Sequence, residues 1–233
     1  AILVSKQSAT DCYTRPLCAS GQKMMDKELK YYHRINSAFI GRKIIEVYYE
    51  ELDYKTDSEF WEHSTDIHSV DMNVIFRLDN NELIQIKWDN EFYCYGIGFE
   101  KLNEINIREG IKTIKLTENK NWAKLIGKEI SEIIVLWDIS EGITKEYKNN
   151  RVIKSEKTIT KLPQTWQIEF GVEKIWVSAL EIKEDGTNSY WADHLTILFN
   201  NSEQEKYQLI KNASTQHRIT TIAALCPADT TAQ

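Results

Sequence analysis

The phrase FIGRKIIEVYYE, residues 39–50, returns 86 positions later as LIGKEISEIIVL, residues 125–136. The two copies align Ile40 with Ile126, Gly41 with Gly127, Arg42 with Lys128, Ile44 with Ile130 and Glu46 with Glu132. Each copy follows a short helix-like stretch, LKYYHRINSAF or NKNWAKL. Each then runs into β-branched and aromatic residues with the period of two of a strand. Glycine at such a junction suits a left-handed helix cap, because without a Cβ it takes positive φ at no steric cost. The repeated unit reads as a helix, a glycine stop, a basic residue and a strand.

The echo continues downstream. VIFRLDNNELIQIKW (74–88) predicts two strands turned at Asp79-Asn80-Asn81, and WQIEFGVEKIWVSAL (166–180) predicts two strands turned at Gly171. INIREGIKTIKLT supplies more strand, and ITKEYKNNRVIKSEKTIT (143–160) reads as a long polar hairpin around Asn149-Asn150. The polar loop KEDGTNSY and the strand-like ADHLTILF follow, and then SEQEKYQLIKN (202–212) reads as a helix with a Ser cap. The expected fold class is α+β and β-rich: two similar lobes from an internal duplication, with antiparallel sheets and short helices. The lobes span 25–117 and 118–212, between an N-terminal extension (1–24) and a C-terminal tail (213–233). They are expected to pack together, since a lone two- or three-stranded unit buries too little surface.

Charge is unevenly spread along this frame. Residues 46–110 carry 16 acidic and 5 basic residues, a net of −11, although the whole chain has a net charge of only −6. Within them EELDYKTDSEFWEHSTD (50–66) reads as a polar loop of carboxylates interleaved with Tyr54, Phe60 and Trp61. Such a loop repels phosphate backbones and speeds association with a basic protein. Aromatics among carboxylates also suit an interface centre with a charged rim. The expected contacts to a basic protein partner are Glu50, Glu51, Asp53, Tyr54, Asp57, Glu59, Phe60, Trp61 and Glu62. Neither nucleic acid nor membrane is expected as a partner. The bland alternative is a solvated loop whose aromatics fold back onto the core.

Motifs for chemistry are sparse. Glu62, His63, Asp66, His68 and Asp71 are metal-ligating types, but HExxH, HxH and CxxC spacings are absent from the chain. His63 and His68 are five apart, on opposite faces of any single strand. GxSxG and GxxxxGK[ST] do not occur, and GIG at 96–98 lacks the third glycine of a dinucleotide fingerprint. Asp193 and His194, adjacent on a strand, would point apart. Trp88, Trp137, Trp166 and Trp176 follow the strand alternation and are expected in cores. No catalytic residue, metal or cofactor is therefore expected. The alternative is a carbohydrate-active or metal-dependent enzyme using the 59–71 loop.

A chain of 233 residues, 42% hydrophobic, can bury a core without staples. No apolar run approaches the roughly 20 residues that span a bilayer. The opening AILVSKQ lacks the basic segment of a secretory leader, so a cytoplasmic location is expected. Cys12, Cys18, Cys94 and Cys226 show no metal or redox spacing and are expected as thiols, with a Cys12–Cys18 disulfide the alternative.

The pattern [FL]-I-G-[RK]-x-I with its hairpin, the segment WDNEFYCYGIG and the segment VSALEIKEDG resemble a group of uncharacterised small bacterial proteins. These are similar in character to the acidic, β-rich immunity proteins that neutralise secreted bacterial toxins. The resemblance covers residues 25–212 and carries over no catalytic residue. It implies a non-enzymatic protein-binding module, an immunity-type inhibitor docking its acidic first lobe on a basic toxin.

Overall fold

The computed structural model describes residues 19–55, 60–92, 95–148, 151–183, 185–190 and 194–207. Asp57, Glu59, the four cysteines, the Asn149-Asn150 turn, Asp193 and the tail 213–233 lie outside the described residues. The chain divides into two units, residues 1–38 and 39–233. The first holds most of helix α1 (Ala19–Phe39). Tyr31 and Ile35 stand one turn apart on it, and the Arg34 guanidinium lies 5.7 Å from the Tyr31 ring centre. The helix begins before Met24, inside the stretch read as an extension.

The second unit is built from antiparallel strands: β1 (Ile44–Leu52), β2 (Trp61–Ser64), β3 (Ile67–Val70), β4 (Asn73–Leu78), β5 (Leu83–Asp89), β6 (Gly96–Leu102) and β7 (Ile111–Lys115). Then come β8 (Glu132–Lys148), β9 (Arg151–Phe170), β10 (Glu173–Ser178), β11 (Leu180–Ile182), β12 (Asn188–Tyr190), β13 (Leu195–Leu198) and the short helix α2 (Asn201–Lys206). One sheet has the order β6-β5-β4-β1-β7, a second β2-β3-β13-β10-β9-β8, and β11-β12 form a small ribbon. The two expected hairpin turns are present, with Asn81 at φ 64° and Gly171 at φ 74°. β8 and β9 form the long hairpin, paired out to Lys148 and Arg151.

Gly41 and Gly127 adopt φ of 77° and 78°. Their N–H groups exchange partners across the two phrases: Gly41 donates to the Ile130 carbonyl and Gly127 to the Ile44 carbonyl, each at 2.9 Å. Ile130 N donates back to the Arg42 carbonyl at 2.8 Å, and Lys43 and Glu129 form a β-bridge. The repeated phrases therefore bind each other, and β1 and β8 leave this joint into different sheets. Each then continues into neighbours in the same order, β1-β4-β5-β6 and β8-β9-β10-β13.

Three features differ from the sequence reading. Residues 50–66 are not one polar loop: Glu50 and Glu51 end β1, and Trp61–Ser64 form β2. β3 pairs with β13 and β2 with β3 in the second sheet, although both lie in the first half of the chain. All four residues of β3 are buried, as are all four of β13, so each needs a strand beside it and cover on both faces. Helix α2 is capped by Asn200 and not Ser202. Asn200 is extended (φ −142°), and its side chain accepts from Ser202 N at 2.8 Å.

The two sheets face each other across aromatic side chains. Phe39 packs edge-on against Phe99 of β6 (5.3 Å) and Trp166 of β9 (5.6 Å). Trp122, fully buried, packs on Phe76 of β4 and on Phe199 beyond β13. The opposite face of the second sheet is covered too, through Ile134, Leu136, Trp176 and Leu198 against Leu180, Ile182 and Tyr207. Trp137, Trp166 and Trp176 are core residues, as their strand alternation implies, whereas Trp88, near the end of β5, is only half-buried.

An added Cβ would meet nothing within 4 Å at Gly41 or Gly127, so an alanine there is opposed by backbone conformation alone. Gly41→Ala and Gly127→Ala should each lower unfolding free energy in urea by about 1–2 kcal/mol, and Asn at either site by less.

Candidate protein-binding site

The acidic stretch of the sequence is largely answered by the chain's own cations. Glu46 on β1 accepts from Arg77 and Lys115, each at 2.5 Å, which hold its carboxyl down to about 2, the Lys115 hydrogen bond contributing most. Lys87 meets Glu100 at 2.8 Å, Lys101 meets Glu82 at 2.5 Å and Lys112 meets Asp53 at 3.1 Å. The cations from Lys112, Lys115 and Lys120 come from beyond the acidic block, which is why linear charge counting misses them.

The nine expected contact residues separate accordingly. Glu50 is 1% exposed, and its Oε2 accepts from Asn73 (2.5 Å), Gln85 (2.8 Å) and Arg108 (2.8 Å). Glu51 is 3% exposed beside Asp71, whose amide donates to it at 3.1 Å. Neither can form a surface rim, because both side chains are turned inward at the end of β1. Burial pushes Glu51 up to about 8, and the neighbouring Asp71 carboxylate adds to this. Asp53 and Tyr54 follow β1, Tyr54 being 59% exposed. Trp61 and Glu62 belong to β2 in the other sheet, and Phe60 directly precedes it. Asp57 and Glu59 lie outside the described residues.

Pairing of β2 with β3 sets Trp61 opposite Ser69 and Glu62 opposite His68, so alternate residues face opposite ways. The inward side carries a buried polar chain. Trp122 Nε1 donates to Tyr49 Oη at 2.7 Å, which directs the Tyr49 hydroxyl to His68 Nδ1 at 2.9 Å. His68 Nε2 lies 3.5 Å from Asn121 Nδ2 and 4.0 Å from Glu62 Oε1, and Lys120 holds Glu62 at 3.1 Å. Phe60 packs on both Tyr49 and His68. Burial pulls His68 down to about 4, so it is neutral at pH 7. His68 is a core hydrogen-bonding residue whose Nδ1 is already occupied.

The outward side builds a cleft. His63 Nε2 lies 2.9 Å from Ser69 Oγ, which lies 3.3 Å from Thr196 Oγ1, and the Thr196 hydroxyl donates to the Leu180 carbonyl. With Thr196 committed to Leu180, Ser69 donates to Thr196 and accepts from His63. The serine proton points away from the imidazole, the wrong direction for a base-activated nucleophile. What the relay does is tie β2, β3, β13 and β11 together. It thereby fixes Trp61 across from the β11–β12 turn. Trp61, Glu181, Ile182, Lys183 and Asp185 line a cleft of about 470 Å³. Asp185 accepts from the hydroxyl (2.6 Å) and amide (2.9 Å) of Thr187, which hold it below the usual carboxylate range. Trp61 is 48% exposed.

Lys183 and Asp185 were legible in the sequence only as part of the polar loop KEDGTNSY, and Glu181 not at all, since no linear signal joins residue 61 to residue 181. Among the described residues, no group of three or more His, Cys, Asp or Glu side chains is placed to hold a metal ion. No helix among them is long and apolar enough to cross a membrane.

Two titrations follow. His68 keeps its full stabilising effect above the ordinary imidazole value of 6.5, and the effect is lost as pH falls toward 4, a change of about 3 kcal/mol. Urea unfolding from pH 7 to 4.5 should show this loss, and His68→Gln should flatten it. Glu51 has the opposite sign, costing stability progressively as pH rises from 4.5 to about 8. Glu51→Gln should therefore raise Tm at pH 8.5 and leave it nearly unchanged at pH 4.5. Comparison with family models, curated proteins and solved structures finds no match to this chain.

Proposed function

We propose that the chain is a non-enzymatic protein-binding module that receives a cationic side chain of a basic protein partner in the Trp61 cleft. The observation that carries this reading is a half-exposed tryptophan on an edge strand that lines one cleft together with Glu181, Lys183 and Asp185. An indole face attracts a guanidinium or ammonium group, and carboxylates in the same cleft can supply charge-assisted hydrogen bonds to it. Trp and Arg are also the residues that dominate binding hot spots. An immunity-type inhibitor acting on a basic toxin in the cytoplasm fits this chemistry.

We further infer that the two halves arose by internal duplication. In support stand the matched glycines at φ 77° and 78°, their reciprocal hydrogen bonds, and the matching strand orders on either side of the joint.

Calorimetric titration with an oligo-arginine peptide tests the binding reading. Binding that weakens steeply with salt is expected. Trp61→Ala should weaken it about tenfold, and Glu181→Lys with Asp185→Lys should abolish it. Equal affinity in all three proteins, or no binding at low salt, would remove the cleft as the site.

A further inference from the structure

The outer half of the β8–β9 hairpin stands apart from its sheet. β10 pairs with β9 from Thr165 to Phe170, so among the described residues the ribbon beyond Trp137 and Pro163 has two strands and no third. A two-stranded ribbon is marginally stable in water, and three or more strands are the usual minimum. This one also exposes β-branched residues: Ile143 is 67%, Ile159 57%, Ile153 54% and Val152 48% exposed. β8 is the last strand of the six-stranded order, and among the described residues no strand neighbours its outer edge. A long, regular edge of this kind is a template for another strand.

The edge is also regular where it matters. The register slips at Leu136/Trp137 and at Glu146/Tyr147, and in each case the extra residue lies on β9, at Gln164 and Ile153. β8 itself keeps an unbroken alternation from Glu132 to Lys148. Its charges are self-complementary when read against their own reverse. An antiparallel pairing centred on Ile143 sets Glu141 opposite Lys145 and Asp138 opposite Lys148, each twice by symmetry, with Ile143 opposite its own copy. Within the chain Glu141 already meets Lys157 at 2.6 Å. A second chain would bring Lys145 to it from the open side.

We propose that this edge is the interface of a homodimer, in which β8 pairs antiparallel with β8 of a second copy about a two-fold axis through Ile143. The ribbons then merge into one four-stranded sheet, β9-β8-β8-β9, with the β8 edge of each copy satisfied. A two-fold interface requires a self-complementary patch, and this strand supplies one. The proposal is independent of the Trp61 cleft, which lies at the opposite edge of the same sheet.

Sedimentation velocity over a concentration series tests it, with hydrogen exchange of the β8 and β9 amides to confirm that the ribbon is formed in each variant. The wild-type chain should show a monomer–dimer equilibrium, and half the β8 amides should gain protection on dimerisation. Lys145→Glu leaves the Glu141–Lys157 pair in place but sets like charges opposite each other twice, and should weaken the dimer about tenfold. The exchange Glu141→Lys with Lys145→Glu restores complementarity across the axis and should recover dimerisation. A chain that stays monomeric at about 1 mM, or a dimer indifferent to Lys145→Glu, would overturn the proposal. So would a charge-exchanged variant no stronger than the single one.

Discussion

The structure depends on a backbone exchange at two glycines. Each phrase ends a helical turn, swings through positive φ, and donates its glycine N–H to the carbonyl opening the strand of the other phrase. Buried backbone groups must find partners. At this joint they find them in a segment 86 residues away in the chain and not in their own hairpins. The result fixes the origin of β1 relative to β8, and so the placement of the two sheets that grow from them.

With the sheets so placed, the aromatic core and its polar lining follow. Tyr49 lies between Trp122 and His68 because β1 belongs to one sheet and β3 to the other. A donor-only indole and the Nδ1 of a neutral imidazole both find a partner in one hydroxyl, which avoids the cost of about 1–3 kcal/mol for each orphaned group. The same crossing of β2 and β3 onto the second sheet carries Trp61 to its edge. Core satisfaction and the exposed cleft are therefore two faces of one strand pair: Glu62 and His68 look inward, Trp61 and Ser69 outward.

Electrostatics gain a different meaning in three dimensions. A block of net −11 along the chain suggests an open acidic surface, yet Glu46, Glu50, Asp53, Glu82 and Glu100 each meet a cation of the same chain. Lys112 and Lys115 reach β1 because β7 pairs beside it. The carboxylates left to act on a partner are fewer, and those lining the Trp61 cleft come from residues 181 and 185, outside the acidic block.

Much of the architecture was legible in the sequence, for local reasons. The glycine stops, the turns at Asn81 and Gly171, the long hairpin and the core tryptophans all follow from φ preferences and period-two patterning, which act within a few residues. The β-rich antiparallel class follows from the same signals. What only the tertiary structure decided was pairing between distant segments. It made β3 a neighbour of β13, buried Glu50 and Glu51, placed the Asn200 cap ahead of the expected Ser202, and set Trp61 opposite Glu181. Strand patterning says which face of a strand is apolar, but it does not say which strand lies beside it. That choice is made by the joint satisfaction of backbone hydrogen bonds and apolar burial across the whole fold.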